Sequence, residues 1–548
     1  MESTPPLVAT KSLSWALNRA CFLINCKKRS SMGQKYYNSL ILALQRMKRT
    51  FFTILLLTLA LTAQSQTAVT IKKADKLTQD IVDDKPIQKL IGSVWLIQGN
   101  TNIYCDSAYV DKVTNSAKAF GHVKIIDTVD SLDIKGDYLE YDGNTRLAKF
   151  RDNVVLKDSA GTLYTDILDY DRVLQVGTYR EGGKLVDTEN TLTSNLGKYF
   201  SQTKKAEFFD SVRLENPDFF LKTDTLYYSS LTTRSRTYGP TEGYSTEGDT
   251  LTTQKGLLYI SEKSYSEVYE GKMVSIDYDI EGDTLIIDDV KKYYTAHQNV
   301  IMTSKPDSMT IFGEKGYYDK IKEDALVHTN AYLRKMVQGD SLFISADSLY
   351  SKQKEDTLGK YLLAYHDVKL FKSDLQGIAD SVSYNFTDST IYMYQDPVIW
   401  SQDSQISADS INILVKNNKI DRMDLAVSSF VIQQDSLKNF NQIKGRDMQV
   451  HFKDGMIQRT DVFGNGESIY YIVDELGATS MNKTKCSNLA IYFENSFVSE
   501  LRTYREVDGR VIPSFEILNP ERTLRGFSWR MSEKPKLEDV ARHLRYDK

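Results

Sequence analysis

Histidines are the residues of this chain best suited to acid–base catalysis or metal binding, because their side chains change protonation state near neutral pH. The six histidines are His122, His297, His328, His366, His451 and His543. They are isolated from one another, and the sequence contains no HExxH, CxxC, GxSxG, P-loop or GxGxxG pattern. The sequence therefore predicts no catalytic residue, no enzymatic activity and no cofactor.

A set of recurring aspartates is the second group that could bind a ligand. They are Asp106, Asp137, Asp166, Asp224, Asp347, Asp380 and Asp409. Aligned carboxylates could bind calcium, but the glycine-rich spacing of calcium-binding β-rolls is missing. An aspartate before a strand also shapes a turn by accepting hydrogen bonds from its own backbone. We therefore expect turn aspartates and no metal site.

The composition favours a large, soluble protein rich in strands. The 548 residues are 41% hydrophobic and 26% charged, with 34 tyrosines and only 10 prolines. This balance excludes a collagen-like, a wholly disordered or a polytopic membrane chain. The formal net charge of −4 gives no reason to expect a nucleic acid partner.

Residues 47–65 are predicted to be a cleaved secretory signal peptide. Lys48 and Arg49 precede an apolar core at 51–63, and the segment ends in a small-residue Ala-x-Ser pattern. The core is shorter than the about 20 residues that a membrane-spanning helix needs, which argues against a stop-transfer anchor. Residues 1–46 precede a complete signal with its own methionine and are predicted to be a mis-assigned upstream leader; an unusually long native leader is the alternative.

Removal of residues 1–65 leaves an exported chain of 483 residues with 60 basic and 72 acidic residues, a net charge of −12. Only Cys105 and Cys486 remain, at opposite ends of the exported chain. An exported protein can form a disulfide, but this one would require the two ends to meet. We expect two separate thiols.

The exported chain repeats one phrase, in which a polar residue precedes an alternating run that usually ends in an aromatic residue. CDSAY at Cys105, GDYLEY at Gly136 and TDILDY at Thr165 are clear copies. The polar positions are 106, 137, 166, 195, 224, 255, 283, 314, 347, 380, 409, 447 and 487, in steps of 28 to 40 residues. No sustained helical periodicity occurs, so the pattern predicts an all-β repeat protein.

A second phrase with a V-x-apolar core follows about half a period later, as in GHVKI at Gly121 and DNVVL at Asp152. Each repeat therefore contains at least two strands. Alternation places Leu139 with Tyr141 on one face and Glu140 on the other. Because one repeat cannot bury its apolar face alone, successive copies must stack.

These phrases resemble the OstA-like family, the periplasmic lipopolysaccharide-transport proteins of the LptA type, and in particular the longer OstA-like proteins of Bacteroidetes. The resemblance runs from about residue 71 to 492. It is clearest at 103–228, which contains YCDSAYV, AFGHVKI and IKGDYLEYDGNTRLAKFRDNVVLKD. Residues 493–548 lie beyond it and are expected to be a charged C-terminal tail.

The resemblance implies an elongated, semi-open antiparallel β-jellyroll (β-taco) trough that shields the acyl chains of lipid A during transport to the outer membrane. It implies a periplasmic protein that can associate with the outer membrane. The implied partners are lipopolysaccharide and LptC-like and LptD-like transport components, which join by edge-strand addition at about 71–103 and 489–504, with possible head-to-tail self-association. The expected lipid-binding residues are Val123, Ile125, Leu139, Tyr141, Val154, Leu156, Val212, Leu214, Leu226 and Tyr228.

Three alternatives remain open from the sequence. The apolar face could form a dry core, as in a structural or adhesive surface protein. The repeats could form a carbohydrate-active parallel β-helix, which would be an enzyme. The repeat region could also be divided into two or more jellyrolls.

Overall fold

The structure is a computed structural model that describes residues 67–541, except for 83–84, 128–131, 338, 354–358, 418, 454, 474–478 and 495–496. The predicted leader (1–46) and signal peptide (47–65) lie outside the described residues. From Thr70 to Pro513 the described chain is almost entirely β-strand. Within this described part, no helix has both the length and the apolar character needed to cross a membrane.

The first eighteen strands are β1 (Thr70–Lys73), β2 (Lys76–Val82), β3 (Lys85–Gln98), β4 (Thr101–Asp111), β5 (Ser116–Asp127), β6 (Leu132–Asp142), β7 (Leu147–Lys157), β8 (Thr162–Asp171), β9 (Val176–Val186), β10 (Thr191–Ser194), β11 (Leu196–Phe200), β12 (Lys205–Glu215), β13 (Phe219–Ser229), β14 (Arg234–Ser245), β15 (Thr250–Thr253), β16 (Leu257–Ile260), β17 (Tyr265–Val274) and β18 (Tyr278–Asp288).

The remaining strands are β19 (Tyr293–Ser304), β20 (Met309–Asp319), β21 (Asp324–Val337), β22 (Asp340–Gln353), β23 (Lys360–Lys372), β24 (Leu375–Asn385), β25 (Thr390–Tyr394), β26 (Val398–Ser401), β27 (Ser404–Ser407), β28 (Ser410–Lys416), β29 (Lys419–Ala426), β30 (Phe430–Gln434), β31 (Phe440–Lys444), β32 (Asp447–Lys453), β33 (Met456–Val473), β34 (Thr479–Glu494), β35 (Phe497–Tyr504) and β36 (Asp508–Pro513). Short 3₁₀ turns occur at Ser261–Lys263, Ser514–Glu516, Asn519–Glu521 and Met531–Glu533, and one helical turn, α1, at Leu537–Val540.

These strands form one antiparallel sheet. From β3 to β9 each strand forms a hairpin with the next. Where a long strand is interrupted, two short strands replace it, as β10 and β11 do between β9 and β12. The predicted all-β fold of stacked antiparallel strands is therefore confirmed. The parallel β-helix is excluded for the described residues, because their strand pairings are antiparallel.

Most long strands bend sharply at their middle, along a line that we call the crease. At the crease one strand of each hairpin has two consecutive residues with left-handed backbone, and the pairing register shifts there, as between Phe120 and Val123. The pairs are Gly92–Ser93, Gly121–His122, Asp152–Asn153, Glu181–Gly182, Asp210–Ser211, Gln298–Asn299, Thr329–Asn330, His366–Asp367, Gln395–Asp396, Val427–Ser428, Gly464–Asn465 and Arg505–Glu506. The polar or glycine types at most of these positions fit the left-handed region, which bulky residues avoid.

Six of the seven recurring aspartates lie within strands at this crease, so their predicted placement before a strand was wrong; Asp409, which directly precedes β28, is where it was predicted. Asp106 and Asp137 lie in the middle of β4 and β6. The Asp106 carboxylate pairs with His122 Nδ1 at 2.7 Å, and Asn153 Nδ2 donates to Asp137 Oδ2 at 2.6 Å. The constant spacing between the two phrases thus arises because their polar residues face each other across a bent hairpin.

The crease divides the sheet into two walls. In β4, residues 101–105 belong to wall A and 107–111 to wall B; β5 passes through wall B first, at 116–120, and then through wall A, at 123–127. Burial alternates in both halves but changes phase at the crease, so Ile103 and Val110 are both buried. The apolar faces of the two walls therefore enclose one interior. The hairpin turns at the far end of each wall form its rim, and the space between the rims is the mouth.

The sheet extends beyond residue 492, since β34, β35 and β36 continue to Pro513. The chain after Pro513 packs on the outer face of wall A. Ile517 and Leu524 lie in an apolar cluster with Phe430, Ile432 and Met481. Further along, Val540 and Ala541 contact a second cluster that contains Phe312, Tyr332 and Phe343. Residues 514–541, which we call the C-terminal segment, thus cover an aromatic surface on the outside of wall A.

Two buried glutamines hold the C-terminal segment in place. Gln442 Nε2 donates to Arg522 O at 2.8 Å, and Leu524 N donates to Gln442 Oε1 at 2.8 Å. Gln405 makes the same pair of bonds with Ser528 O and Arg530 N. Because each side-chain amide satisfies both an acceptor and a donor of the segment, its backbone can leave water without losing these hydrogen bonds.

Candidate functional site: the interior between the walls

The ten predicted lipid-binding residues lie in the interior. Val123, Ile125, Val154, Leu156, Val212 and Leu214 belong to wall A, and Leu139, Tyr141, Leu226 and Tyr228 to wall B. All ten are buried, with at most 4% of each side chain exposed. Their burial gives them the position that the prediction needs, while their contact with a lipid stays a prediction.

In this first section of the sheet the two walls touch. A Cβ added to Gly177 of wall B would lie 3.6 Å from Leu156 Cδ1 of wall A, and a Cβ added to Gly136 of wall A would lie 3.1 Å from Phe150 Cδ1 of wall B. These are ordinary to tight van der Waals separations. The interior between β5 and β9 is therefore filled by the protein's own side chains.

Polar bonds join the two rims across the mouth. Gln98, at the rim of wall A, accepts a hydrogen bond from the Tyr141 hydroxyl and donates through Nε2 to Gly143 O of wall B at 2.7 Å. Tyr228 of wall B donates to Asp187 in a turn of wall A, and Asn190 Nδ2 donates to the Tyr228 hydroxyl at 3.1 Å. The tyrosine that ends the first repeated phrase, as Tyr141 and Tyr228 do, thus supplies a hydrogen bond that joins the two rims.

Asp158 is the most enclosed of these rim acceptors. Its side chain is 0% exposed, yet it receives the Lys204 amine at 2.7 Å and the Tyr199 hydroxyl at 2.6 Å from wall B. Its other oxygen accepts the backbone N–H groups of Ala160 and Gly161. A buried carboxylate needs such partners to offset the loss of water. Burial, and then the hydrogen bond to Asp158, raises the pKa of Tyr199 well above its usual range.

Farther along the stack, lysines make the rim contacts. Lys320 of wall B binds Glu247 at 2.8 Å and Asp249 at 3.1 Å, both in a turn of wall A. Lys360 pairs with Asp307 in the same manner. The sequence analysis missed all of these rim pairs. The 29-residue spacing of Tyr141, Tyr170, Tyr199 and Tyr228 was the signal that marked one side of them.

Three cavities interrupt the interior from Asp218 onward. Cavity I, of about 310 Å³, lies between β13 and β19 and has a mixed lining, with Leu221, Leu257 and Met273 beside Asp289 and Lys292. Cavity II, of about 80 Å³, is narrow and contains Leu333 and Leu370. Cavity III, of about 320 Å³, lies toward the C-terminal end of the sheet and is lined in part by Val431, Ile443 and Ile491. Cavities II and III are mainly apolar. None of the ten predicted lipid-binding residues lines these three cavities.

The lining of cavity II extends across many strands. Its lining takes residues from six neighbouring strands of wall A, from Met309 in β20 to Ser401 in β26. At about 4.8 Å per strand, these span roughly 24 Å. An acyl chain in one bilayer leaflet extends over about 15 Å. The lining of cavity II is therefore long enough to follow a linear acyl chain.

The titratable side chains that the structure describes form no metal centre. Within that part of the chain, no group of three histidine, cysteine, aspartate or glutamate side chains is placed to bind a metal ion. Three of the histidines instead pair singly with an aspartate: His122 with Asp106, His366 with Asp380 and His451 with Asp461. Cys105 and Cys486 are both free and buried, which confirms two separate thiols.

Comparison with known proteins identifies one family. Residues 66–224 match the family model described as OstA-like protein, so the resemblance predicted from the repeated phrases is confirmed for that segment. No curated protein matches the chain at a significant level.

Proposed function

We propose that this chain, an OstA-like protein over residues 66–224, is a non-enzymatic periplasmic protein that shields the acyl chains of lipopolysaccharide on their way to the outer membrane. The match of residues 66–224 to the OstA-like family supports the general role. One structural observation carries the specific one: a continuous apolar interior runs between two walls of a single sheet. Each acyl CH₂ group kept from water is worth about 0.8 kcal/mol, so such an interior lowers the cost of carrying a lipid through an aqueous compartment.

The ten interior residues of the first section and the linings of cavities I to III form the proposed lipid path. In the first section the walls touch, so a lipid must separate them. At the cavities, space is already present. The exported chain is acidic, at −12, so we expect apolar contacts and not net charge to attract an anionic lipid.

Photo-crosslinking in cells tests this proposal. Crosslinkers replace Leu139, Tyr141 and Val154 in the first section and Leu370 at cavity II, with the outward-facing Glu140 as the matched control. We expect lipopolysaccharide adducts at interior positions and none at Glu140. Adducts at Leu370 alone would place the lipid in the cavities. Absence of adducts at every interior position would favour the closed-core structural protein and refute the proposal.

Depletion of the protein tests the role in the cell. When the protein is lost, we expect less lipopolysaccharide at the cell surface and more on the periplasmic side of the outer membrane. Surface labelling of the lipid measures the fraction that is delivered. Normal delivery to the surface in depleted cells would contradict a transport role.

We further propose that LptC-like and LptD-like components, or a second copy of the chain, join at the ends of the sheet. In the described part, β1 and β2 pair only with β3, and β35 and β36 pair only with β34. Of these strands, β2, β35 and β36 each have one edge whose backbone groups can accept another strand. Placing crosslinkers in β2 and in β35 tests which component lies at which end.

A further inference from the structure

A hollow on the outer face of wall B is lined by tyrosines. It has a volume of about 330 Å³ and crosses β19 to β23. Its principal residues are Tyr293, Tyr317, Tyr350, Tyr365, Asp319 and Asp324. We call it the tyrosine hollow. It lies outside the interior site. Tyr293 and its neighbour Tyr294 point to opposite faces of the strand, and the buried Tyr294 lines cavity I.

Strand register brings these residues together. Tyr317 lies opposite Leu326, and Leu326 lies opposite Tyr350. Tyr293 lies opposite Asp319, which lies opposite Asp324. Because neighbouring strands are about 4.8 Å apart, these two rows place aromatic rings and carboxylates side by side over about 15 to 20 Å.

Two rings of the hollow are open to water: Tyr293 is 39% exposed and Tyr365 is 42% exposed. Tyr317 is more enclosed, because it forms a tilted pair with Tyr293, at 6.3 Å between ring centroids, and stacks on His328 at 5.8 Å. The rings that a ligand can reach are therefore those at the two ends of the hollow. A flat ring face exposed beside hydrogen-bonding groups fits the apolar C–H face of a sugar.

The polar groups of the hollow are held in position. Asp319 Oδ1 accepts the backbone N–H groups of Ile321 and Lys322 at 3.0 and 3.1 Å. Asp324 Oδ2 accepts the Tyr350 hydroxyl at 2.9 Å. An ionised carboxylate has about four acceptor sites, so Asp319 can also accept from sugar hydroxyls. Two carboxylates beside the single amine of Lys322 disfavour an anionic ligand and favour a neutral one.

We propose that the tyrosine hollow binds a neutral saccharide. The hollow begins at Tyr293, next to the rim residue Lys292, which lines cavity I. An amphiphile whose acyl chain occupied cavity I would have its sugars leave the mouth at this rim. The identity of the saccharide as the sugar portion of lipopolysaccharide therefore rests on the proposed function, whereas the existence of the sugar site does not.

Calorimetric titration tests the site with the exported chain and neutral hexose oligosaccharides. We expect Tyr317→Ala and Tyr365→Ala each to weaken binding roughly tenfold, and Asp319→Asn, which keeps an oxygen for the turn, to weaken it without removing a ring. Tyr394→Ala is the matched control, because Tyr394 is 44% exposed on the same wall and lies outside the hollow. It should bind like the unaltered protein. Thermal unfolding of each variant checks that the fold is retained.

The same variants separate this inference from the proposed function. If the unaltered protein does not bind the saccharide, or if the hollow variants and Tyr394→Ala bind it equally, the sugar site is refuted. Interior crosslinking to lipid would persist in that case and leave the transport proposal standing. Conversely, saccharide binding that depends on Tyr317 and Tyr365, without lipid adducts at any interior position, would support the hollow and refute acyl-chain shielding.

Discussion

The carboxylate of Asp158 shows how the mouth is held at the level of single residues. We expect Lys204→Met to destabilise the protein by about 3–5 kcal/mol, because it leaves a fully buried charge without its cation. Tyr199→Phe removes a neutral donor and should cost only about 1 kcal/mol. Denaturant unfolding measures both values. Lys205→Met, at the exposed neighbouring position, is the control, and an equal loss for Lys204→Met and Lys205→Met would contradict the role of the buried pair.

The rim tyrosines also predict a loss of stability in alkali. Burial raises the pKa values of Tyr199 and Tyr228, and their hydrogen-bonded aspartates raise them further. In the unfolded chain a tyrosine ionises near pH 10. Because the folded pKa is the higher one, this contribution is complete below pH 10 and is lost as the pH rises above it.

The measurement is the unfolding free energy between neutral pH and pH 11. We expect the double variant Tyr199→Phe/Tyr228→Phe to begin less stable than the unaltered protein but to lose less stability above about pH 10. Parallel curves for the two proteins would show that these phenols do not titrate on unfolding.

Sequence alone predicted the interior side chains better than their polar partners. Leu139 and Tyr141 followed from alternation, which is a local property of a strand. The contact between Tyr199 and Asp158 spans 41 residues. It depends on how far each hairpin shifts against the next, and no local pattern records that shift.

At the scale of the element, the crease is the feature that bends each strand. Gly121 has φ of +71°, and a Cβ there would overlap Asp106. Gly239 has φ of +78° and would meet no atom within 4 Å. We expect Gly239→Ala to cost about 1 kcal/mol through backbone strain alone, and Gly121→Ala about 2–3 kcal/mol. Unfolding measurements compare the two; equal costs would mean that Asp106 moves aside freely.

The crease was misread from sequence for a physical reason. A turn before a strand and a left-handed bulge within one both favour aspartate, asparagine and glycine, because all three tolerate positive φ or bond to nearby backbone. The phrase GHVKI at Gly121 contains both the bulge and the strand that continues after it. Only the pairing of β4 with β5 distinguishes the two arrangements.

The C-terminal segment gives a second prediction at this scale. A chain that stops after Pro513 loses the cover over Phe430, Ile432 and Met481, which are at most 5% exposed in the full structure. We expect stronger binding of a hydrophobic dye and a greater tendency to aggregate. A chain that stops after Ala541 keeps the segment and serves as the control. Equal dye binding by the two chains would show that the segment does not protect this surface.

At the scale of the whole chain, the repeat explains the length of the sequence, since each hairpin adds two strands to the same two walls. The stacking of about a dozen repeats could be predicted because every copy carries the same two phrases. The cavities could not be predicted, because an empty volume depends on small differences in side-chain size across the interior. Leu333 and Leu370 at cavity II are of the same residue types as Leu139 and Leu156 in the filled section.

This difference between sections leads to a prediction for lipid binding along the chain. Filling an existing cavity requires less separation of packed side chains than opening a filled interior. Hydrogen exchange with and without lipopolysaccharide, read by mass spectrometry of peptides, should therefore show slower exchange first in β20 to β26, around cavity II. Peptides from β5 to β7 serve as the internal control and should change only at higher lipid concentration. Protection that began in β5 to β7 would mean that the rim bonds at Tyr141 and Asp158 open readily, and that the filled section is the entry point for the lipid.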